Sequence, residues 1–205
     1  MTAFATAQEA LWAGEFGNDY IARNQSATLL AANVALFSRV LSRMAPISTC
    51  LELGANIGLN LKALKTLCPA LKMSAVEING EAVKQLSTLP DLDCHHQSIL
   101  DFTPDRSYDL VLIKTVLIHI NPARLPDVYD LMYRASQRYI CLAEYYNRQP
   151  VEVLYRGKTE SLFKRDFAGE LMDRHPDLSL VDYGFVYKRD RFPQDDITWF
   201  LLEKK

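Results

Sequence analysis

CLELGANIGLN, residues 50–60, is a short apolar run that ends in a carboxylate and then breaks into a loop carrying Gly54 and Gly58. The run has the length and composition of a strand buried on both faces. Leu59, Leu61, Leu64 and Leu67 follow near helical spacing, and Pro69 stops the helix. The stretch therefore reads as strand, glycine loop, helix. Such a loop lets the backbone approach a ligand closely and sets a helix N-terminus beside it. A plain strand-to-helix turn is the competing reading, and the loop alone does not decide between them. Its pattern, E-x-G-x-N-x-G, lacks the G-x-G-x-x-G spacing of a dinucleotide fingerprint, which argues against a nicotinamide cofactor.

Outward from this loop the same alternation continues. KMSAVEIN predicts a second strand, and GEAVKQLSTL a helix closed by Pro90. LDCHHQSI, YDLVLIKTV and RYICLAEYY predict three more strands, with a helix over PARLPDVYDLMYRA, where Pro122 suits the first turn. Strand and helix in alternation mean parallel crossovers and helices on both faces of one sheet. Beyond residue 150 the character changes. ESLFKRDFAGELMDRH predicts a helix, and SLVDYGFVYKRD and DDITWFLLEKK predict two strands with no room for a crossover, hence antiparallel. Ahead of the first strand, TLLAANVALFSRVLSRM is an amphipathic helix preceded by EFGNDYIARNQS. The expected architecture is one α/β domain with a doubly wound, mostly parallel seven-stranded sheet, an antiparallel C-terminal strand and an N-terminal helical cap. Residues 1–46 form the cap or lid, 47–150 the binding core, and 151–205 the acceptor-side helix and terminal strands.

Bulk properties agree with a single soluble domain. The 205 residues suffice for one well-buried core. With 49% hydrophobic and 23% charged residues and a net charge of -2, the chain lacks the basic footprint of a nucleic-acid binder. Cys50, Cys68, Cys94 and Cys141 have no C-x-x-C spacing, so neither a metal nor a redox pair is expected. Neither a signal peptide nor a membrane-length apolar run is legible, and the expected location is cytoplasmic.

Two further signals accompany the loop. Glu77 stands about 20 residues beyond it, where a carboxylate can accept both ribose hydroxyls of a nucleoside. HHQSILDF places Ser98 and Ile99 at the end of the third strand, suited to the edge and face of an adenine. Loop, Glu77 and Ser98 together resemble the S-adenosylmethionine (SAM) site of class I methyltransferases, in which the loop reads acidic-x-G-x-G-x-G. Asn56 replaces the middle glycine, and Asn tolerates left-handed angles better than most residues. Candidate cofactor contacts are Tyr20, Arg23, Glu52, Gly54, Asn56, Gly58, Glu77, Ile78, Ser98, Ile99 and Lys114. Tyr20 and Arg23 lie three apart in a segment expected to fold over the cofactor.

Methyl transfer from a sulfonium needs alignment, exclusion of water and a base for the acceptor's proton. His119, in KTVLIHINP, is the candidate base; a structural hydrogen bond to backbone is the alternative. Glu144 and Tyr145 cap the fifth strand and join it as catalytic candidates. Tyr146, Tyr155 and Arg156 are the candidate acceptor contacts, Arg156 because a guanidinium fork beside Gly157 suits a carboxylate or phosphate. Lys164 and Arg165 read as solvated helix-face charges, and Asp195 and Asp196 as strand-entry or ion-pair residues.

WAGEFGNDYIARN, LELGANIG, VEIN, QSILDF, KTVLIHINP, AEYYNRQPVEVLYRG, LFKRDFAGEL, DYGFVYKRD and DDITWFLLEK together resemble the pseudaminic acid biosynthesis-associated methylase family. That resemblance implies a SAM-dependent methyltransferase acting on a nonulosonic acid, its nucleotide-activated form or a pathway intermediate, with S-adenosylhomocysteine (SAH) as product. It does not supply the acceptor atom. A methyltransferase for another small metabolite and a non-catalytic SAM-binding protein are the alternatives.

Overall fold

A computed structural model of the chain describes residues 4–24 and 26–205. Three helices come first: α1 (Ala7–Ala13), α2 (Glu15–Arg23) and α3 (Ala27–Leu41). There follow β1 (Thr49–Leu53), α4 (Leu59–Leu67), β2 (Lys72–Glu77), α5 (Gly80–Leu86), β3 (Leu92–His96) and β4 (Tyr108–Lys114). Two single 3-10 turns, Leu117–His119 and Pro122–Arg124, lead into α6 (Leu125–Ala135) and β5 (Ser136–Glu144). The chain closes with β6 (Val151–Glu152), β7 (Phe163–Lys164), α7 (Phe167–Arg174), β8 (Leu178–Val186) and β9 (Ile197–Lys204).

Seven strands form one sheet in the order β3-β2-β1-β4-β5-β9-β8. The first five are parallel, as the predicted crossovers require. β9 runs antiparallel to both its neighbours and slots between β5 and β8. The central strands bury both faces, and their side chains divide by parity. Leu51, Leu53, Val111, Ile113, Ile140 and Leu142 enter one core layer, beneath α6 and α7. Cys50, Leu110, Leu112, Cys141 and Ala143 enter the other, beneath α3 and α4. Two apolar layers on alternate residues explain why these strands read as nearly unbroken apolar runs.

Three boundaries differ from the sequence reading. The helix predicted over residues 160–175 begins only at Phe167, because Asp166 Oδ1 accepts the Gly169 N–H at 2.9 Å and caps it there. The residues ahead of that cap, Phe163–Lys164, instead pair antiparallel with Val151–Glu152. Pro122 starts a 3-10 turn capped by Asn121, and α6 proper begins at Leu125 with Pro126 in its first turn. All four cysteines are free thiols, and no helix among the described residues is long and apolar enough to cross a membrane.

Candidate functional site

The loop after β1 is built on three left-handed residues, Gly54 (φ 74°), Asn56 (φ 49°) and Gly58 (φ 76°). A Cβ on Gly54 would stand 2.6 Å from Val116 Cγ2, and one on Gly58 would stand 2.7 Å from Leu86 Cδ1 and Leu89 Cδ1. The glycines therefore serve both backbone angle and packing. Gly54→Ala is expected to cost about 2 kcal/mol or more, a Tm lower by roughly 4–8 °C, because the angle and the clash both oppose it. A melt of that variant within 1–2 °C of the parent, roughly half a kcal/mol, would remove the loop strain from this account.

Glu77, at the end of β2, ties this loop to the next one. Its Oε2 accepts the Asn56 N–H at 2.7 Å, and its Oε1 accepts the Asn79 N–H at 2.8 Å. The Ile78 N–H also bears on this carboxylate, whose oxygens can each accept more than one hydrogen bond. Burial pushes the Glu77 pKa up, and the backbone N–H bonds from Asn79 and Asn56 oppose that shift. Asn79 also caps α5, its Oδ1 accepting the Glu81 and Ala82 N–H groups. Its amide Nδ2 then donates to the Trp12 carbonyl at 3.0 Å and to Asn18 Oδ1 at 2.9 Å. One residue thus fastens α1 and α2 beside Glu77. Gly17 permits the approach, since a Cβ there would stand 2.0 Å from the Trp12 carbonyl oxygen.

Beneath this loop lies a buried layer of titratable side chains. Glu52 Oε1 accepts the Asn60 Nδ2 donor at 2.6 Å, while its Oε2 is buried without a partner. Burial pushes the Glu52 pKa up to about 8, against the pull of Asn60 and then of Lys114. The Lys114 pKa is lowered by burial, with Glu52, Glu144 and Asp195 opposing. Glu144 Oε1 accepts the Val116 and Leu117 N–H groups, both at 3.0 Å, and burial pushes its pKa up to about 7. A carboxyl raised in this way stabilises the fold fully below its unfolded pKa and loses that contribution as pH rises through the folded one. Glu52→Gln is therefore expected to melt like the parent near pH 4 and above it near pH 9, roughly. Coincident melting curves across that range would contradict a buried, ionising Glu52.

His119 ends the turn that Glu144 anchors. Its Nδ1 lies 2.6 Å from the Ser161 carbonyl oxygen, so Nδ1 carries the proton and Nε2 keeps a lone pair. Nε2 has no hydrogen bond among the described residues. Burial lowers the His119 pKa to about 4, against the Ser161 hydrogen bond. The ring lies 4.6 Å from Trp12 and 5.2 Å from Tyr155. Trp12 in turn packs edge-on against Phe16 and Tyr20.

These elements enclose a cavity of about 180 Å³, walled by α1 and α2, the glycine loop and the strand ends. Of the sequence-predicted residues, Tyr20, Gly54, Asn56, Glu77, Ile78, Ser98, Ile99, Lys114 and His119 line it. Ser98 Oγ accepts the Leu100 N–H at 3.1 Å. The Tyr20 hydroxyl meets Thr115, and burial raises its pKa to about 12. Other predicted residues stand off the wall. Glu52 and Glu144 lie behind it, Gly58 packs against α5, and Arg23 is exposed. Tyr145 donates its hydroxyl to Asp195 Oδ2, and Tyr146 is exposed beside Phe200. Tyr155 packs against His119 and Phe16, and the Arg156 guanidinium lies over the Tyr155 ring.

Sequence reasoning missed Trp12, Asn79, Ser161 and Asp195. Asn79 was accessible, since an Asn ahead of Gly-Glu-Ala and an apolar helix is an N-cap pattern. Ser161 acts through its carbonyl, for which the side chain gives no signal. Asp195 stands at the entry to β9, as expected of a strand-entry or ion-pair residue, but its partner is the Tyr145 hydroxyl, which no local pattern signals.

No family model and no curated protein matches the chain. Solved structures do. The plantazolicin methyltransferase BpumL in complex with SAH matches at TM-score 0.67 and 13% identity, over 97% of this chain and 94% of that one. A SAM-dependent methyltransferase of Leishmania major matches at TM-score 0.71 and 16% identity, over 98% and 87%. Magnesium protoporphyrin IX methyltransferase from Synechocystis PCC 6803, with bound SAM, matches at TM-score 0.68 and 12% identity, over the whole of both chains. The chain has the class I SAM-dependent methyltransferase fold. Its seven-stranded mixed sheet, with β9 inserted antiparallel, and its N-terminal helices belong to that architecture.

Proposed function

We propose that the protein is a SAM-dependent methyltransferase whose acceptor is a nonulosonic acid, its nucleotide-activated form or an intermediate on the way to it, methylated on oxygen or nitrogen. The observation that carries the SAM reading is Glu77. Its carboxylate is fixed by the Asn56 and Asn79 N–H groups and buried on the cavity wall, where carboxylate oxygens can accept further hydrogen bonds. This is the arrangement a ribose diol requires. Asn56 Oδ1, also on that wall, is buried without a partner and offers an acceptor to a ligand. Solved structures of the same fold carry SAM or SAH, which supports the same cofactor here.

In this reading Ile78, Ser98 and Ile99 border the adenine, and Tyr20 and Lys114 border the methionine end. Arg23 reaches a SAM carboxylate only by swinging in from its exposed position. Bound SAM supplies an electrophilic methyl group on a sulfonium. The chain's own contribution is to fix the geometry, close α1 and α2 over it against water, and take the acceptor's proton. His119 Nε2, unprotonated and lining the cavity, receives that proton. Glu144 positions His119 through the backbone of the turn at residues 116–117. Tyr145, Tyr146, Tyr155 and Arg156 face the acceptor. The sugar-acid class rests on the family resemblance and on Arg156 at the rim.

Isothermal titration with SAM and SAH, followed by transfer of radiolabelled methyl to pathway sugars, tests the reading in two stages. Binding of both nucleosides with label appearing in a sugar product is expected. Absence of heat and of any melting shift with either nucleoside overturns the SAM site. Binding with label reaching other metabolites alone overturns the sugar-acid acceptor.

A further inference from the structure

Three cations stand at the acceptor end with no acidic partner. Arg156 lies over the Tyr155 ring at 5.7 Å, Lys158 over Phe16 at 5.9 Å, and Lys164 over Tyr145 at 5.0 Å. These rings are neighbours. Phe16 and Tyr155 have centroids 6.1 Å apart, Tyr155 lies 5.2 Å from His119, and Tyr145 and Tyr155 both pack against the core layer beneath α6 and α7. Among the described residues none of the three cations forms an ion pair. Of the acids nearby, Glu170 holds Arg165 at 2.8 Å, while Asp195 and Glu152 accept neutral donors, the Tyr145 hydroxyl and the Glu160 N–H, and none of them pairs with the three cations.

The backbone presents two of these cations deliberately close. Tyr155 and Lys158 exchange both main-chain hydrogen bonds, at 3.0 and 2.9 Å. The two residues between them, Arg156 (φ 50°) and Gly157 (φ 78°), are both left-handed. That is the tight hairpin turn which prefers Asn or Gly at its first position. An arginine held there against its steric preference sits at the tip of the turn, with Lys158 at its base.

We propose that Arg156, Lys158 and Lys164 form a phosphate-binding rim, so that the acceptor carries a phosphate monoester in addition to the group that is methylated. The proposal rests on the methyl-transfer reading above and narrows its substrate class. A single sugar carboxylate brings one negative charge and is satisfied by one guanidinium fork. Three cations without an ion-pair partner are better matched by the charge of nearly two, and the three acceptor oxygens, of a phosphate monoester. Arg supplies the planar fork and the lysines supply point charges. The aromatic faces under all three hold them in place without neutralising them.

The test is titration of the SAH-saturated protein with cytidine monophosphate, with pyrophosphate, and with N-acetylneuraminate, which has a carboxylate but no phosphate. Cytidine monophosphate is expected to bind more tightly than N-acetylneuraminate, and to weaken as salt is raised. If pyrophosphate binds as well, the rim reads bare phosphate; if it does not, the rim reads phosphate attached to a nucleoside. Arg156→Ala combined with Lys158→Ala is expected to lower the phosphate affinity at least tenfold and leave SAH affinity unchanged. Arg156→Lys is expected to retain part of it, and Lys72→Ala, at the opposite end of β2, all of it. SAH binding without binding of either phosphate compound overturns the rim and leaves the methyltransferase reading standing. Equal affinity for N-acetylneuraminate and cytidine monophosphate, or phosphate binding that survives the double variant, overturns it too. Failure to bind SAH brings down the reading beneath it instead.

Discussion

Glu77→Ala is expected to lower SAH affinity by at least 100-fold. Two hydrogen bonds from ribose hydroxyls to a carboxylate are worth about 1.5–3 kcal/mol each, and the alanine removes both. It also strips the Asn56 and Asn79 N–H groups of their acceptor, so about 2–4 kcal/mol of stability should go with it. Glu77→Gln separates the two losses. The glutamine keeps one acceptor oxygen, holds one of the two loops, and folds better than the alanine variant, yet it lacks the charge. Its SAH affinity should still fall about tenfold or more. Because burial raises the Glu77 pKa, SAH binding should weaken in acid at a pH above the ordinary carboxyl range. Titration calorimetry on the three proteins across pH decides the matter. If Glu77→Gln binds SAH as tightly as the parent, the carboxylate is only a clamp between loops.

Much of this site was legible in sequence, because strand ends in a parallel sheet are local signals that topology gathers into one crevice. LELG, VEI, QSI and LIK each end a predicted strand, and Gly54, Glu77, Ser98 and Lys114 meet around one cavity. The cap was legible only as an amphipathic segment. That Trp12 packs on His119, 107 positions further along the chain by numbering, is a tertiary fact with no periodic trace. The stretch from 160 to 166 misled for a different reason. Its residues carry a helical apolar spacing, but Asp166 captures the Gly169 N–H and starts the helix there. Phe163–Lys164, just before it, are then drawn into the short β6–β7 pair with Val151–Glu152. Glu144 shows the remaining gap. Its position at a strand end pointed to chemistry at the acceptor, whereas its carboxylate is turned to the backbone of the 116–117 turn.

That turn carries the second large effect. On the proposed base role, His119→Ala is expected to reduce turnover by about 100-fold or more while SAH affinity changes less than about threefold, since general-base catalysis contributes about that much and the ring lines the cavity. The Ser161 carbonyl fixes the proton on Nδ1, so Nε2 is a base without any titration step at neutral pH. With its pKa lowered to about 4, His119 stays neutral well below the ordinary imidazole range. The acid limb of kcat/KM should therefore fall near pH 4 and not near 6.5. Stability follows the same group in a defined direction. The folded state binds fewer protons than the unfolded chain between about pH 6.5 and 4, so the His119 contribution is full above that window and is lost as pH falls through it. His119→Gln, which cannot titrate, should flatten that part of the stability curve and still lack turnover. A variant that loses the pH-dependent stability but turns over normally would make His119 a backbone anchor for Ser161, and the proton would have to leave by another route.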